Sequence, residues 1–212
     1  MGTVPAVLAA KEAYGKRKHE DRAVTAQTKR QRRVLHEEFT ALTGVDMEKK
    51  LLEFINNYGH KCLDLLKRGG HSAKEAAKKL EEELQQPDEN VRKYRFAVGL
   101  IERLPLLVKE KPKFLSGPDI YPTLRFEGTS IQEAEYITVT FEAFSIDVVD
   151  VIAGISALME LYWVLDIRYS ESNKHTLALL EHFCDLPSAP KSTLLLRTIS
   201  SIQGGRTSMA QK

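Results

Sequence analysis

The sequence predicts an α+β fold, with a mainly helical N-terminal half followed by a small antiparallel strand pair packed with helices. Apolar residues recur at three- and four-residue spacings through most of the first half, which is the period of an amphipathic helix. Residues 136–144 (YITVTFEAF) instead alternate between apolar and polar side chains, as in a half-buried strand. The 212 residues are 42% hydrophobic and 28% charged, an ordinary globular balance.

Five segments are predicted along the chain. Residues 1–27 form a basic arm without a sustained apolar period, which we expect to lack fixed structure. Residues 28–108 form a helical region, and residues 109–122 form a linker-like break that holds three of the eight prolines. A small α+β region covers residues 123–202, and residues 203–212 form a loose tail.

The helical region is predicted to contain four helices. The first begins near Thr28 and ends at Gly44. Asp46 is the expected N-cap of the second helix. Ser72 and Glu75 are expected to form a capping box that starts the third. The apolar face of the first helix is predicted to consist of Val34, Leu35, Phe39 and Leu42.

The second half is predicted to begin with a strand at residues 122–128, which pairs with the alternating strand that runs through Ala143. Asp147 is the expected N-cap of the next helix. That helix covers the longest apolar-rich stretch, which is interrupted only by Asp150 and Glu160 and is therefore expected to be a buried amphipathic helix. Two further short helices are expected at residues 172–186 and 191–202.

Ten apolar, aromatic and turn positions occur in a recognisable order along residues 34–200. They are Tyr58, Leu65, Leu66, Leu104, Pro105, Pro122, Leu124, Tyr162, Val164 and Leu165. In this order the chain resembles a group of largely uncharacterised vertebrate proteins labelled similar to sterile alpha motif domain-containing protein 3. A sterile alpha motif precedes the region in those proteins, whereas a basic arm precedes it here. The resemblance implies no activity and assigns no functional residue.

No motif of a known reaction is present in the sequence. It lacks the glycine-rich phosphate loops, the H-E-x-x-H zinc motif and the G-x-S-x-G nucleophile turn. The His/Cys clusters around Cys62 and Cys184 lack the close-paired spacing of zinc ligands, so both cysteines are expected to be core residues. Nothing in the sequence indicates a buried acid. We therefore expect no cofactor, no metal and no enzymatic activity, with a hydrolase of unrecognised site as the weaker alternative.

The strongly basic stretch is residues 16–33, KRKHEDRAVTAQTKRQRR. Residues 1–33 carry nine Lys or Arg and three acids, a net charge of +6, so the remaining residues carry −4. Two basic clusters separated by ten residues predict a two-part nuclear import signal, hence a nuclear protein and an import carrier as partner. Alternatively, the same cations contact nucleic-acid phosphates non-specifically, or they are the solvated start of a helix. The residues concerned are Lys16, Arg17, Lys18, Lys29, Arg30, Arg32 and Arg33.

The function expected from the sequence is a nuclear protein-interaction or scaffold protein. Phe141, Phe144 and Trp163 are the candidate anchors for an unknown protein partner, because large aromatic side chains dominate binding interfaces. Alternatively, these aromatic residues belong to the core, which is where such side chains more often lie. No apolar run approaches the roughly 20 residues that a membrane helix needs, so no membrane partner is expected.

Overall fold

The structure, a computed structural model, describes residues 26–111, 115, 120–187 and 191–204. Within these residues it contains seven α-helices, two short 3-10 helices and one antiparallel sheet, which confirms the predicted α+β fold. The predicted arm falls outside the described residues, except that the first helix already includes Ala26 and Gln27; the tail beyond residue 204 also falls outside them. The α-helices are α1 (Ala26–Thr43), α2 (Met47–Arg68), α3 (His71–Glu83), α4 (Glu89–Arg103), α5 (Val151–Val164), α6 (Lys174–Phe183) and α7 (Thr193–Gln203), and the 3-10 helices are Leu104–Val108 and Ile131–Glu133.

The sheet has three strands, one more than the sequence predicts. Strands β1 (Thr123–Glu127), β2 (Tyr136–Phe141) and β3 (Phe144–Val148) lie in the order β1-β2-β3. The predicted strand was wrong in running through Ala143, because the chain turns back at Glu142 and Ala143. Glu142 has a positive φ of 50° there. No Gly, Asn or Asp marks this turn, which is why the pattern did not predict a hairpin.

The helix that follows the sheet starts later than predicted. Asp147 is not its N-cap but a residue of β3, where its carboxylate accepts a hydrogen bond from the Thr138 hydroxyl at 3.0 Å. Asp150 is the N-cap of α5, and its carboxylate accepts a hydrogen bond from the backbone N–H of Ala153 at 2.9 Å. This cap orients α5 so that it returns across the sheet.

Helix α5 is the centre of the core. Residues 151–162 are all buried, so the helix is enclosed on every side rather than amphipathic as predicted. A Cβ atom on Gly154 would lie 2.7 Å from Leu124 Cδ1, so this glycine lets α5 pack closely against β1. Among the described helices, none is both long and apolar enough to cross a membrane.

Helix α1 packs beside α5 through a different face from the one predicted. Leu35 and Phe39 are buried, as expected, whereas Val34 and Leu42 are exposed. Asp46 then caps α2, as predicted, by accepting a hydrogen bond from the backbone N–H of Lys49 at 3.0 Å. The exposed side of α1 therefore carries apolar residues that are not used for packing.

The predicted capping box at the start of α3 does not form. The helix begins at His71, after Gly70, so Ser72 lies inside the first turn rather than at the N-cap. Glu75 instead pairs with the His71 ring at 3.2 Å. Gly70, the residue at the N-cap, has no side chain with which to cap the first turn.

Both cysteines are core residues, as predicted. Cys62 in α2 and Cys184 at the end of α6 are fully buried. Burial raises the pKa of the Cys62 thiol to about 12 and also raises that of Cys184. Both side chains are therefore neutral thiols at pH 7, without the thiolate character of a reactive cysteine.

A buried carboxyl group in α6 predicts a pH dependence of stability. Glu181 is buried and accepts a hydrogen bond from the Tyr169 hydroxyl at 2.6 Å. Burial raises the pKa of Glu181 above its ordinary value of 4.5, since the charged form is poorly solvated. The neutral Glu181 side chain therefore contributes its full stabilisation below pH 4.5, and this contribution is lost as the pH rises through the folded-state pKa of Glu181. In a Glu181→Gln variant the free energy of unfolding should no longer fall as the pH rises, as measured by urea unfolding between acid and neutral pH. If the free energy of unfolding fell equally with pH in both proteins, Glu181 would not be its cause.

Candidate functional site

An open groove, called here the apolar groove, lies between α1, β3 and the C-terminal end of α5. Its volume is about 330 Å³. Helix α1 contributes one wall, the start of β3 the floor, and the last turn of α5 the opposite wall. The lining residues are Arg30, Gln31, Val34, Leu35 and Glu38 from α1, Phe144 and Ile146 from β3, and Leu161, Val164 and Leu165 from α5 and its C-cap.

Three exposed apolar side chains meet in this groove. Of the eight large hydrophobic side chains that are exposed among the described residues, three line it: Val34, Phe144 and Leu165. They belong to three different elements, so only the tertiary fold brings them together. Contiguous exposed apolar surface of this kind is typical of interaction sites.

The groove exists because of where each element begins or ends. Phe144 is the first residue after the β2–β3 turn and lies opposite Phe141 in the register of the sheet. Helix α5 ends at Val164, and the chain leaves at Leu165 before the groove is covered. The short turn and the early end of α5 together leave the outer side of Phe144 open.

The three predicted aromatic anchors are in three different environments. Phe144 is 50% exposed and lines the groove. Phe141 is buried in the core on the same face of the sheet. Trp163 is half-buried and packs edge-on against Phe39, with 6.5 Å between ring centroids. Phe144 is thus the one of the three that an approaching partner can contact broadly.

The second basic cluster lies within α1, while Lys16, Arg17 and Lys18 lie outside the described residues. Lys29 is a residue of α1, and Arg30 is exposed at the end of the apolar groove. Arg33 is exposed, and its Nε atom lies 3.5 Å from the Glu37 carboxylate. Arg32 is directed into the protein.

Arg32 binds a fully buried carboxylate, although nothing in the sequence indicated a buried acid. Glu160 in α5 has no exposed side-chain surface, and both of its oxygens accept hydrogen bonds from the Arg32 guanidinium. The Glu160 carboxylate also lies 3.0 Å from His36 Nδ1 and accepts a hydrogen bond from the Ser156 hydroxyl at 3.2 Å. These four side chains, called here the Glu160 network, fasten α1 to α5.

The Glu160 network links α1 and α5 through one shared, buried carboxylate. A carboxylate that orients a histidine is a common part of acid–base sites. Here, however, the same carboxylate is also held by a guanidinium, and the Ser156 hydroxyl donates to Glu160 rather than to His36. Among the described residues, no group of three or more His, Cys, Asp or Glu side chains could hold a metal ion.

A larger cleft of about 560 Å³ opens on the opposite flank of α1. Three basic and three acidic side chains line it, so its charge does not favour one class of charged ligand. Its basic lining residues are Arg32, Arg33 and Lys49, its acidic lining residues are Asp46, Glu48 and Asp147, and His36 also lines it. Despite its greater volume, this cleft is the weaker candidate site because part of its charge is already engaged in the Glu160 network and in the cap of α2.

The two ends of the apolar groove carry opposite charges. Arg30 lies at the end where α1 begins and Glu38 lies two turns further along. The basic stretch with its net charge of +6 precedes and overlaps the Arg30 end. A ligand at this end of the groove therefore meets the exposed Arg30 side chain, and a ligand at the other end meets Glu38.

Comparison of the chain with protein-family models, with curated protein sequences and with solved structures finds no match in any of the three. The resemblance to the proteins labelled similar to sterile alpha motif domain-containing protein 3 therefore stays a prediction.

Two features of the site were missed in the sequence. Val34 was assigned to the packed face of α1, and Glu160 was treated only as an interruption of an apolar run. A signal for Glu160 was present, because an acid inside an otherwise apolar helix must be paired if the helix is buried. No comparable signal marks Val34, since its exposure depends on which face of α1 meets α5.

Proposed function

We propose that this chain is a non-enzymatic interaction protein that binds a peptide segment of a protein partner in the apolar groove. The observation that carries the proposal is the convergence of Val34, Phe144 and Leu165 on one open groove. Burial of such surface stabilises a complex by about 25 cal/mol for each Å² of apolar area removed from water. Phe144 supplies an aromatic anchor of the kind that dominates binding energy.

The shape of the groove favours a peptide over a small molecule. Binding sites for small ligands enclose about 70–90% of the ligand surface. This groove is open, and the exposed parts of its anchors face outward. Its volume of about 330 Å³ accommodates a few bulky side chains presented by a helix or an extended segment.

The charge around the groove indicates an acidic partner segment. Arg30 makes one end of the groove positive, so an acidic residue at that end of the peptide would be attracted and oriented. The proposed ligand is therefore a segment in which apolar side chains are flanked by Asp or Glu.

Peptides selected from a displayed random library against the full chain should be rich in apolar and acidic residues. A Val34→Glu variant should bind the best selected peptide at least about tenfold more weakly, because a charge would replace an apolar contact. Titration calorimetry or fluorescence anisotropy measures the change.

Leu42→Glu is the matched control, since Leu42 is also an exposed apolar residue of α1 but does not line the groove. Its affinity for the peptide should equal that of the original chain. Selection of basic peptides, or equal losses in both variants, would contradict binding in the groove.

We also propose that the basic stretch directs the protein to the nucleus through an import carrier. Two basic clusters ten residues apart support this, together with the exposure of Arg30 and Arg33 on α1. A fusion with two fluorescent proteins, too large to enter by diffusion, should accumulate in the nucleus. Alanine at all of Lys16, Arg17, Lys18, Lys29, Arg30 and Arg33 should make the fusion cytoplasmic.

Arg32 is left unchanged in that test because its loss would disturb the fold. Alanine at Lys74, Lys78 and Lys79, which are exposed on α3, is the control for removal of positive charge as such. Nuclear accumulation that survives removal of both clusters would refute the import proposal without affecting the proposal for the groove.

A further inference from the structure

We propose that the buried carboxylate of Glu160 competes with the import carrier for Arg32, so that the folded protein withholds the second half of its own import signal. This inference rests on the proposed import function and adds a means of regulating it. The device is an internal contact: Arg32, within the basic cluster, is held by both oxygens of a side chain that has no exposed surface.

The conformation of the cluster opposes carrier binding. Import carriers accept clustered basic side chains from an extended segment. Residues 29–33 lie in α1, where successive side chains point about 100° apart and the segment rises only about 6 Å. The same residues in an extended chain would span about 13 Å, with alternate side chains spaced along each side of the segment. The second cluster must therefore leave the helix to be bound in full.

One side chain opposes that departure. Arg30, Gln31, Arg33 and Val34 are all exposed, whereas Arg32 is only 19% exposed. The first buried residue of α1 among the described side chains is Leu35. The start of α1 can thus separate from the body while Leu35 and Phe39 hold the rest of the helix, provided that the contact between Arg32 and Glu160 is broken.

Separation of Arg32 leaves a buried carboxylate with fewer partners. His36 and Ser156 remain beside Glu160, but the guanidinium supplies the two-pronged, charge-assisted contact. Most of the free energy needed to expose the second basic cluster is therefore spent in breaking the contact between Arg32 and Glu160. Any event that weakens this contact raises the fraction of protein that the carrier can bind.

The test measures the dissociation constant between the purified full chain and a purified import carrier. Glu160→Gln retains the shape of the side chain but removes its charge, so it should bind the carrier about tenfold more tightly than the original chain. Gln31→Gly weakens the start of α1 without touching the Glu160 network and should tighten binding about threefold. Circular dichroism confirms that each variant is folded, and if Glu160→Gln does not fold, Glu160→Leu, which also removes the partner of Arg32, takes its place.

A synthetic peptide of residues 16–33 separates the two proposals. It should bind the carrier more tightly than the full chain, and Gln31→Gly in the peptide should leave its affinity unchanged. If the peptide binds but the folded variants bind no better than the original chain, the competition by Glu160 is refuted and import is not. If the peptide fails to bind, both proposals are refuted.

Discussion

An Arg32→Ala variant is expected to lose about 3–5 kcal/mol of the free energy of unfolding, because it would leave the buried Glu160 charge without its principal partner. The Glu160 side chain has no exposed surface, and Arg32 is only 19% exposed, so water cannot readily replace the lost guanidinium. Urea unfolding followed by circular dichroism measures the loss as a fall in the transition midpoint.

Arg33→Ala is the matched control one residue along the same helix. Arg33 is 69% exposed, and its ion pair with Glu37 is long, at 3.5 Å, so the change should stay within about 0.5 kcal/mol. Combining Arg32→Met with Glu160→Leu should recover most of the loss, since well-packed apolar residues often replace a buried ion pair without cost. Equal losses in the Arg32 and Arg33 variants would show that the Glu160 network does not stabilise the fold.

A Glu110→Ala variant is expected to lose about 3 kcal/mol because Glu110 caps α6 from a distant part of the chain. Its carboxylate accepts hydrogen bonds from the backbone N–H groups of His175 at 2.8 Å and Thr176 at 3.0 Å. It also accepts one from the Thr176 hydroxyl at 2.6 Å and lies 3.1 Å from His175 Nδ1. Asn173, which occupies the N-cap position itself, makes no capping bond with its side chain.

Hydrogen exchange should show the effect of Glu110→Ala first in the opening turn of α6. Glu171→Ala is the control, because Glu171 is an acid just before the same helix but is 87% exposed. Its free energy of unfolding should stay within about 0.5 kcal/mol of the original. A small loss for Glu110→Ala, equal to that of the control, would mean that the donors of α6 are satisfied without Glu110.

Features set by neighbouring residues could be predicted from the sequence. The cap at Asp46, the core positions of Cys62 and Cys184, and the general α+β fold follow from local spacing, and the structure contains them. The failures occur where a local signal was missing or ambiguous. Strand β3 was missed because its turn lacks the usual turn residues, and the N-cap of α5 was placed three residues early because Asp147 and Asp150 are both good caps.

The candidate site was less predictable because it depends on how elements meet. Phe144 was proposed as an anchor from its residue type alone. Nothing local to Val34 or Leu165 indicates that they would share a groove with it. In the same way, Arg32 differs from Arg33 only because its side chain meets Glu160, which is 128 residues away. A sequence pattern identifies the type of such a residue but does not show which distant residue it contacts.

The basic helix connects the two proposals. Its exposed side forms a wall of the apolar groove through Arg30 and Val34, and its inner side binds Glu160 through Arg32. Partner binding in the groove therefore requires α1 to be in place, whereas carrier binding to the second cluster requires its start to separate. A partner segment bound in the groove should consequently weaken binding of the carrier, by the reciprocity of linked equilibria.

The most direct measurement is an NMR titration of the full chain with the best selected acidic, apolar peptide. The apolar groove and the larger cleft lie on opposite flanks of α1, so the pattern of shifted signals distinguishes them. Binding as proposed would shift the signals of Val34, Phe144 and Leu165 and leave those of Lys49 and Val149 unchanged. Shifts confined to Lys49 and Val149, or no shifts at the groove at saturating peptide, would contradict a docking site in the apolar groove.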